Sequence, residues 1–497
     1  MEKYLNGVSK VSLRQIALRR VGIVLWNEHD ILSSIGKFRF HPGKYHKEWR
    51  ETIEKNVVYK ASKLQLPESL KKQMAQILKP IGLQILRWKI FHEAYVSNSS
   101  ENYDVPVLSK LCWTSAGAVD YKKTAENLIR SDVLDSFKRY VLACLYCLED
   151  SIAQLWKDFP EYDKTYFYIK DSTPIEKPHL EFCWPYVLEG EESKLDAMPG
   201  RDGGPARFYQ YAFEYSACKG NKTATEFFFQ KLTPEEKESV LVETAKAVLI
   251  SRDIEMYRLN TYEDFPKEKV SDVFCYLLSL MSLEEQIRIF REEPCKVLKC
   301  LLDWPWHDFF LDIADFIWTF LPENDYGSLL WKMTMSIRNS GYYFPNLFQN
   351  FFLSSPINFR KHFVDRECQF NSFFPNFFHS EDTETIKVIF RNVDAADRLR
   401  LVSSDHIFKL FYDFILGGRW RIVEVCLLEA KLSKEHKERL MENFTEFLKG
   451  MDRGQIKWRK RKWRRFFDFL DENDARVPKR ISLVDETLTK RKKICCE

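Results

Sequence analysis

The chain has 497 residues, of which 76 are Lys or Arg and 72 Asp or Glu, for a net charge of +4. A content of 45% hydrophobic and 30% charged residues excludes wholesale disorder. Only 17 glycines and 19 prolines argue against many-stranded β architecture and against Gly-rich phosphate loops, so an all-α fold is expected, as two to four domains or one long repeat array.

Residues 1–156 read as a separate N-terminal helical region. Lys10, Arg14, Arg19 and Arg20 precede the short apolar run Val21 to Trp26, which falls short of the continuous apolar stretch of about 7–15 residues, with a small-residue cleavage site, that a secretory signal needs. The longest charge-free apolar stretch, Val273 to Leu283, falls well short of the ~20 residues that span a bilayer. No membrane span is expected, and the address is read as cytoplasmic or nuclear. Leu66-Pro67-Glu68 marks a helix start. From Asp135 to Trp156, Phe137, Val141, Cys144, Leu148, Ile152 and Leu155 recur at steps of three and four, which predicts one continuous amphipathic helix.

Residues 157–206 read as an irregular connector. Pro160, Pro174, Pro178, Pro185, Pro199 and Pro205 interrupt helices, Tyr166 to Ile169 is read as a short strand, and a boundary is placed near residue 200.

Residues 207–450 read as a helical-repeat array. Lys231 to Ser239 and Lys431 to Arg439 share five of nine positions, and in each a Thr or Ser, Thr233 or Ser433, stands ready to cap a helix. Thr233 with Glu236 forms a capping-box pattern, and related starts occur at Ser282 with Glu285, Pro322, Ser355-Pro356 and Asp394 with Asp397. Their spacings run from 33 to 49 residues, close to the period of helical-hairpin repeats, whose units bury a face only by stacking. Gly418-Arg-Trp-Arg-Ile422-Val-Glu-Val-Cys-Leu427-Leu-Glu-Ala430 resembles the inner half of an ankyrin repeat, in which a glycine ends one helix and an I-V-x-x-L-L pattern fills the next. Glu384 to Asn392 and Gly220 to Phe229 are looser versions. The family's T-P-L-H start is absent, so the resemblance is to a degenerate ankyrin-like array, and it implies an α-solenoid used for protein–protein interaction. Ala143 to Asp150 is also similar to runs in unassigned arthropod proteins, a likeness that implies no activity.

Residues 451–497 read as a basic capping helix and tail. Positions 452–497 carry a net +7, leaving −3 for the rest of the chain. One cluster holds Lys457, Arg459, Lys460, Arg461, Lys462, Arg464 and Arg465. A second, Lys479 and Arg480 followed nine residues on by Lys490, Arg491, Lys492 and Lys493, resembles a bipartite nuclear-import signal. Ile456, Trp463, Phe466 and Leu470 fall at helical spacing, so one face is expected to dock while the other stays cationic. Three roles compete for this segment: a solubilising cap of the array, an import signal for an importin, and a phosphate-binding surface for nucleic acid or anionic lipid.

The remaining chemistry-bearing patterns are weak. Cys144-x-x-Cys147 stands alone in an apolar run, whereas zinc needs four ligands, so reduced core thiols are expected for these and for Cys275, Cys300 and Cys426. His307, Asp308, Asp312 and Asp315 place carboxylates on one predicted helix face, read as the wet side of that helix. The spacings of zinc-protease, serine-hydrolase, P-loop, dinucleotide-binding and kinase motifs are absent. The expectation is a non-catalytic interaction scaffold without cofactor or metal, binding an unidentified protein partner, with nucleic-acid or anionic-surface binding by the basic end as the alternative.

Overall fold

In a computed structural model, residues 12–39, 45–96, 105–168, 180–196, 207–254, 265–338, 342–451 and 456–471 are described. Among them every regular element is a helix, and the one β-type pairing is an isolated bridge between Trp113 and Val119. No helix of the described residues is long and apolar enough to cross a membrane.

Several of the helices start where polar side chains satisfy amides that the first turn leaves without partners. The Ser12 and Gln15 side chains each bond the other's backbone N–H, and Ser282 and Glu285 repeat the arrangement. Thr233 with Glu236 does the same, Asp394 accepts from the Asp397 N–H at 2.8 Å, and Ser433 from His436 at 3.2 Å. Each such cap is worth about 1 kcal/mol. Pro322 and Pro356 also precede helices, as their positions predict.

The chain packs as two units, one ending at Ser355 and the other beginning at Pro356. In the first unit the spine is the helix Glu68–Val96. The helix Leu13–Trp26 packs on it, with the fully buried Trp26 indole donating to Leu78 O at 3.0 Å and stacking on Trp49. Described helices and turns before residue 156 reach later parts of this unit through hydrogen bonds. Arg87 Nη1 donates to Glu268 Oε1 at 2.6 Å, Asn221 Nδ2 to Leu145 O at 2.7 Å, Trp304 Nε1 to Gly117 O at 3.0 Å, and Arg19 Nη2 to Asp308 Oδ2 at 2.8 Å. The early helices therefore share one unit with those up to residue 355, because their polar groups find partners there. Gly220, at φ 81°, turns the chain between Phe208–Lys219 and Lys222–Lys231, and a Cβ there would lie 2.9 Å from Val270 N.

Two local expectations are corrected. The helix expected from Asp135 to Trp156 is two, Ser136–Leu145 and Glu149–Asp158. Cys147, at φ 48°, reverses the backbone between them, and Leu148 N–H closes the turn on Ala143 O at 3.0 Å. The expected strand from Tyr166 begins instead inside the helix Glu161–Phe167, whose Phe167 is drawn into an aromatic cluster with Tyr140 and Phe159. Ile169 and the proposed boundary near residue 200 lie outside the described residues.

In the second unit the helices Thr383–Arg391 and Trp420–Ala430 pack together, and Ile386, Ile389 and Phe390 of the first and Ile422, Val423, Cys426 and Leu427 of the second are buried. Arg391 grips Glu429 across them with two bonds, at 2.5 and 2.8 Å. These are the residues that carry the ankyrin-like pattern.

Candidate interaction surface

The last described helix, Ile456–Asp471, is built by its aromatic spacing. Trp463, Phe466 and Leu470 recur at steps of three and four, and all three are buried against the preceding helices. Trp463 stacks on Tyr412, Phe466 lies 4.3 Å from Phe444 between ring centroids, and Phe469 meets the edge of Trp420. Trp463, Phe466 and Leu470 dock as the sequence predicts, and the Ile456 side chain lies outside the described residues.

Beside this contact the helices Lys434–Met451 and Ile456–Asp471 leave an apolar groove of about 460 Å³. Thr445, Leu448 and Lys449 line one wall, and Trp463, Arg464, Phe467 and Asp468 the other. The floor is hydrocarbon and indole, while the rim carries two cations and one carboxylate. Arg464 is 78% exposed and sits 3.5 Å from Asp468 one turn on, an exposed pairing that holds it only weakly.

The predicted cations divide into three groups. Arg464 lines the groove, and Arg465 lies 5.2 Å over the Trp420 ring, so part of its charge is spent covering that indole. Lys457, Arg459, Lys460, Arg461 and Lys462 fall in the helical segment, where their side chains lie outside the described residues. Helical register puts positions 457 and 461 on the same face as Arg464, and position 459 on the face of Trp463. Lys479, Arg480, Lys490, Arg491, Lys492 and Lys493 lie outside the described residues altogether. The groove's contributors from the earlier helix, Thr445, Leu448 and Lys449, were not singled out by sequence. The signal that points to them is the amphipathic run from Lys434 to Leu448, whose Leu440 and Phe444 are buried.

The chemistry-bearing patterns resolve into structural roles. The thiols of Cys144 and Cys147 are buried at the helix break, and burial raises both well above the ordinary thiol range, which suppresses the thiolate. Asp308 does not lie with Asp312 and Asp315 on a wet face. Residues Trp306–Phe309 form a tight 3-10 turn that aims it at the buried Arg19, whose guanidinium lies 4.6 Å over Trp304, while Asp312 and Asp315 are exposed on the helix Phe310–Ile317. Burial holds His307 down to about 4, so at neutral pH it is an uncharged ring stacked on Phe344.

Sequence inspection missed the polar core of the first unit. Asp303 accepts from Arg252 Nη2 at 2.6 Å and from Ser271 Oγ at 2.7 Å, and Arg252 also donates to Lys299 O at 2.8 Å. Burial works against the Asp303 carboxylate, but Arg252, Lys332 and Ser271 outweigh it and hold the acid below its ordinary range. Burial lowers Lys332 to about 8, with Arg252 repelling it as well. His92 is buried between Trp88 O at 2.8 Å and the Tyr146 hydroxyl at 2.6 Å, and burial holds it near 3. Neither cluster has a sequence motif, since each brings together segments separated by tens of residues in the chain. No group of three or more His, Cys, Asp or Glu side chains among the described residues is placed to hold a metal ion.

No protein-family profile and no curated protein matches the chain.

Proposed function

We propose that the chain is a non-catalytic interaction protein of the cytoplasm or nucleus. On this reading its helical pairs form an ankyrin-like array, and it takes a protein partner at the groove between Lys434–Met451 and Ile456–Asp471. The observation that carries the reading is the groove itself, an apolar floor of Leu448, Trp463 and Phe467 with Lys449 and Arg464 at its rim. Interface cores use such aromatic anchors with charge kept to the edge. The strongest acid–base clusters support the non-catalytic part, because Arg252 with Asp303 and Arg87 with Glu268 are engaged in tying helices together.

A second reading, binding of nucleic acid by the outer face of the last helix, is favoured by the exposure of Arg464 and by the register of positions 457 and 461. A pull-down with the full chain separates the two. A protein partner is lost on Leu448→Asp and persists as salt rises. A nucleic-acid complex tolerates Leu448→Asp and weakens steeply with salt, by roughly 0.9 log unit per log unit for each phosphate neutralised. Capture of neither a protein nor a nucleic acid that depends on these residues refutes both.

A further inference from the structure

The helix Leu13–Trp26 has two unlike faces. Leu18, Ile23, Leu25 and Trp26 are buried against the fold. On the opposite side Leu13 is 86% and Val24 55% exposed, and the less exposed Ile16 and Val21 flank them on either edge, so aliphatic side chains stand out on the first and last turns of this face. Arg14 and Arg20 are exposed on the same side, and neither pairs with an acid among the described residues. The helix contains no Asp or Glu at all. The nearest acids in sequence, Glu28 and Asp30, are both taken by Lys60.

Charge decides what can cover this face. A second copy of the chain would bring four guanidinium groups together with no carboxylate between them. The occupant must be anionic and must also accept the protruding aliphatic side chains. A lipid bilayer surface meets both conditions, since an interfacial helix lies in the plane with its aliphatic side chains at the acyl boundary and its arginines reaching back to phosphate.

We propose that the outer face of the Leu13–Trp26 helix docks on an anionic bilayer surface, with Leu13, Ile16, Val21 and Val24 entering the acyl boundary and Arg14 and Arg20 contacting lipid phosphates. The site shares no residue with the groove lined by Leu448, Trp463 and Phe467.

The test is co-sedimentation of the full chain with vesicles of phosphatidylcholine containing phosphatidylserine, against vesicles of phosphatidylcholine alone. The chain is expected to bind the first and not the second. Leu13→Asn with Val24→Asn should lower binding at least about tenfold, and Arg14→Gln with Arg20→Gln by about fivefold for each charge removed. All four positions are exposed, so an unchanged melting temperature certifies the fold of each variant. Binding that survives both variants and disappears with Arg461→Gln, Arg464→Gln and Arg465→Gln assigns the membrane to the C-terminal helix and overturns the proposal. Equal binding to both vesicle types overturns it as well. So does a wild type that ignores vesicles while the Leu13→Asn, Val24→Asn variant converts a dimer to a monomer, or releases an acidic protein partner.

Discussion

The indole of Trp26 occupies the space that a side chain at position 82 would need. A Cβ on Gly82 would lie 2.2 Å from Trp26 Cζ2 and 2.5 Å from Cη2, and the ring cannot retreat because it is stacked on Trp49 and bonded to Leu78 O. The helix Leu13–Trp26 reaches its place on Glu68–Val96 only because this position is glycine.

Gly82→Ala therefore sets a helix-propensity gain of about 1 kcal/mol against overpacking of about 1–3 kcal/mol on a rigid ring. The expected net result is a loss, read as a lower melting temperature. Gly22→Ala is the control, since its nearest neighbour is the flexible Ile81 Cδ1 at 3.0 Å. It should be tolerated better, and the reverse order would show that the ring moves.

At the last helix, Trp463→Ala should cost about 3–5 kcal/mol, the range for emptying a buried aromatic site. Arg464→Gln, on an exposed side chain, should stay within about 0.5 kcal/mol. Chemical denaturation of the second unit checks both, and instability of the Arg464 variant alone would mean that the helix faces are reversed.

Asp303→Ala strands the buried Arg252 guanidinium and should destabilise by about 3–5 kcal/mol. Replacing the pair together, Arg252→Met with Asp303→Leu, should restore most of that loss, because desolvation of both charges is removed. A double-mutant cycle in urea gives the coupling directly, and additive losses would show that the pair is not a unit.

Glu367 gives the second unit a pH dependence. Burial pushes its carboxyl up to about 7 even though the amides of Phe373 and Phe374 donate to it at 2.6 and 3.1 Å. A raised folded-state value means that its contribution is complete below the ordinary value of 4.5 and is lost as pH rises towards 7. The full loss is roughly 3 kcal/mol from the linkage relation. Glu367→Gln should flatten stability between those limits, and an unchanged profile would assign the dependence elsewhere.

Helices and their starts were legible because caps are local. Thr233, Ser282, Asp394 and Ser433 act on amides three residues away, so the sequence window that shows the pattern contains the whole interaction. The docking face of Trp463, Phe466 and Leu470 was legible for the same reason: periodicity sorts side chains by face before any partner is known. The break at Cys147 was not, since the apolar period continues across it and the left-handed turn depends on how two helices pack. Half of the groove was equally hidden, because Leu448 gains its role only when Phe467 is brought beside it.

The sequence by itself determined that the chain is helical, which faces are apolar, and that positive charge gathers at its end, all properties of residues within a few turns of one another. Only the tertiary structure decided that Arg19 meets Asp308, that Arg87 meets Glu268, and that the first helices share a unit with those up to Ser355. Those contacts join residues 289 and 181 positions apart, and a buried charge has no local preference that announces its partner. It is fixed by the cost of leaving either charge alone in the core.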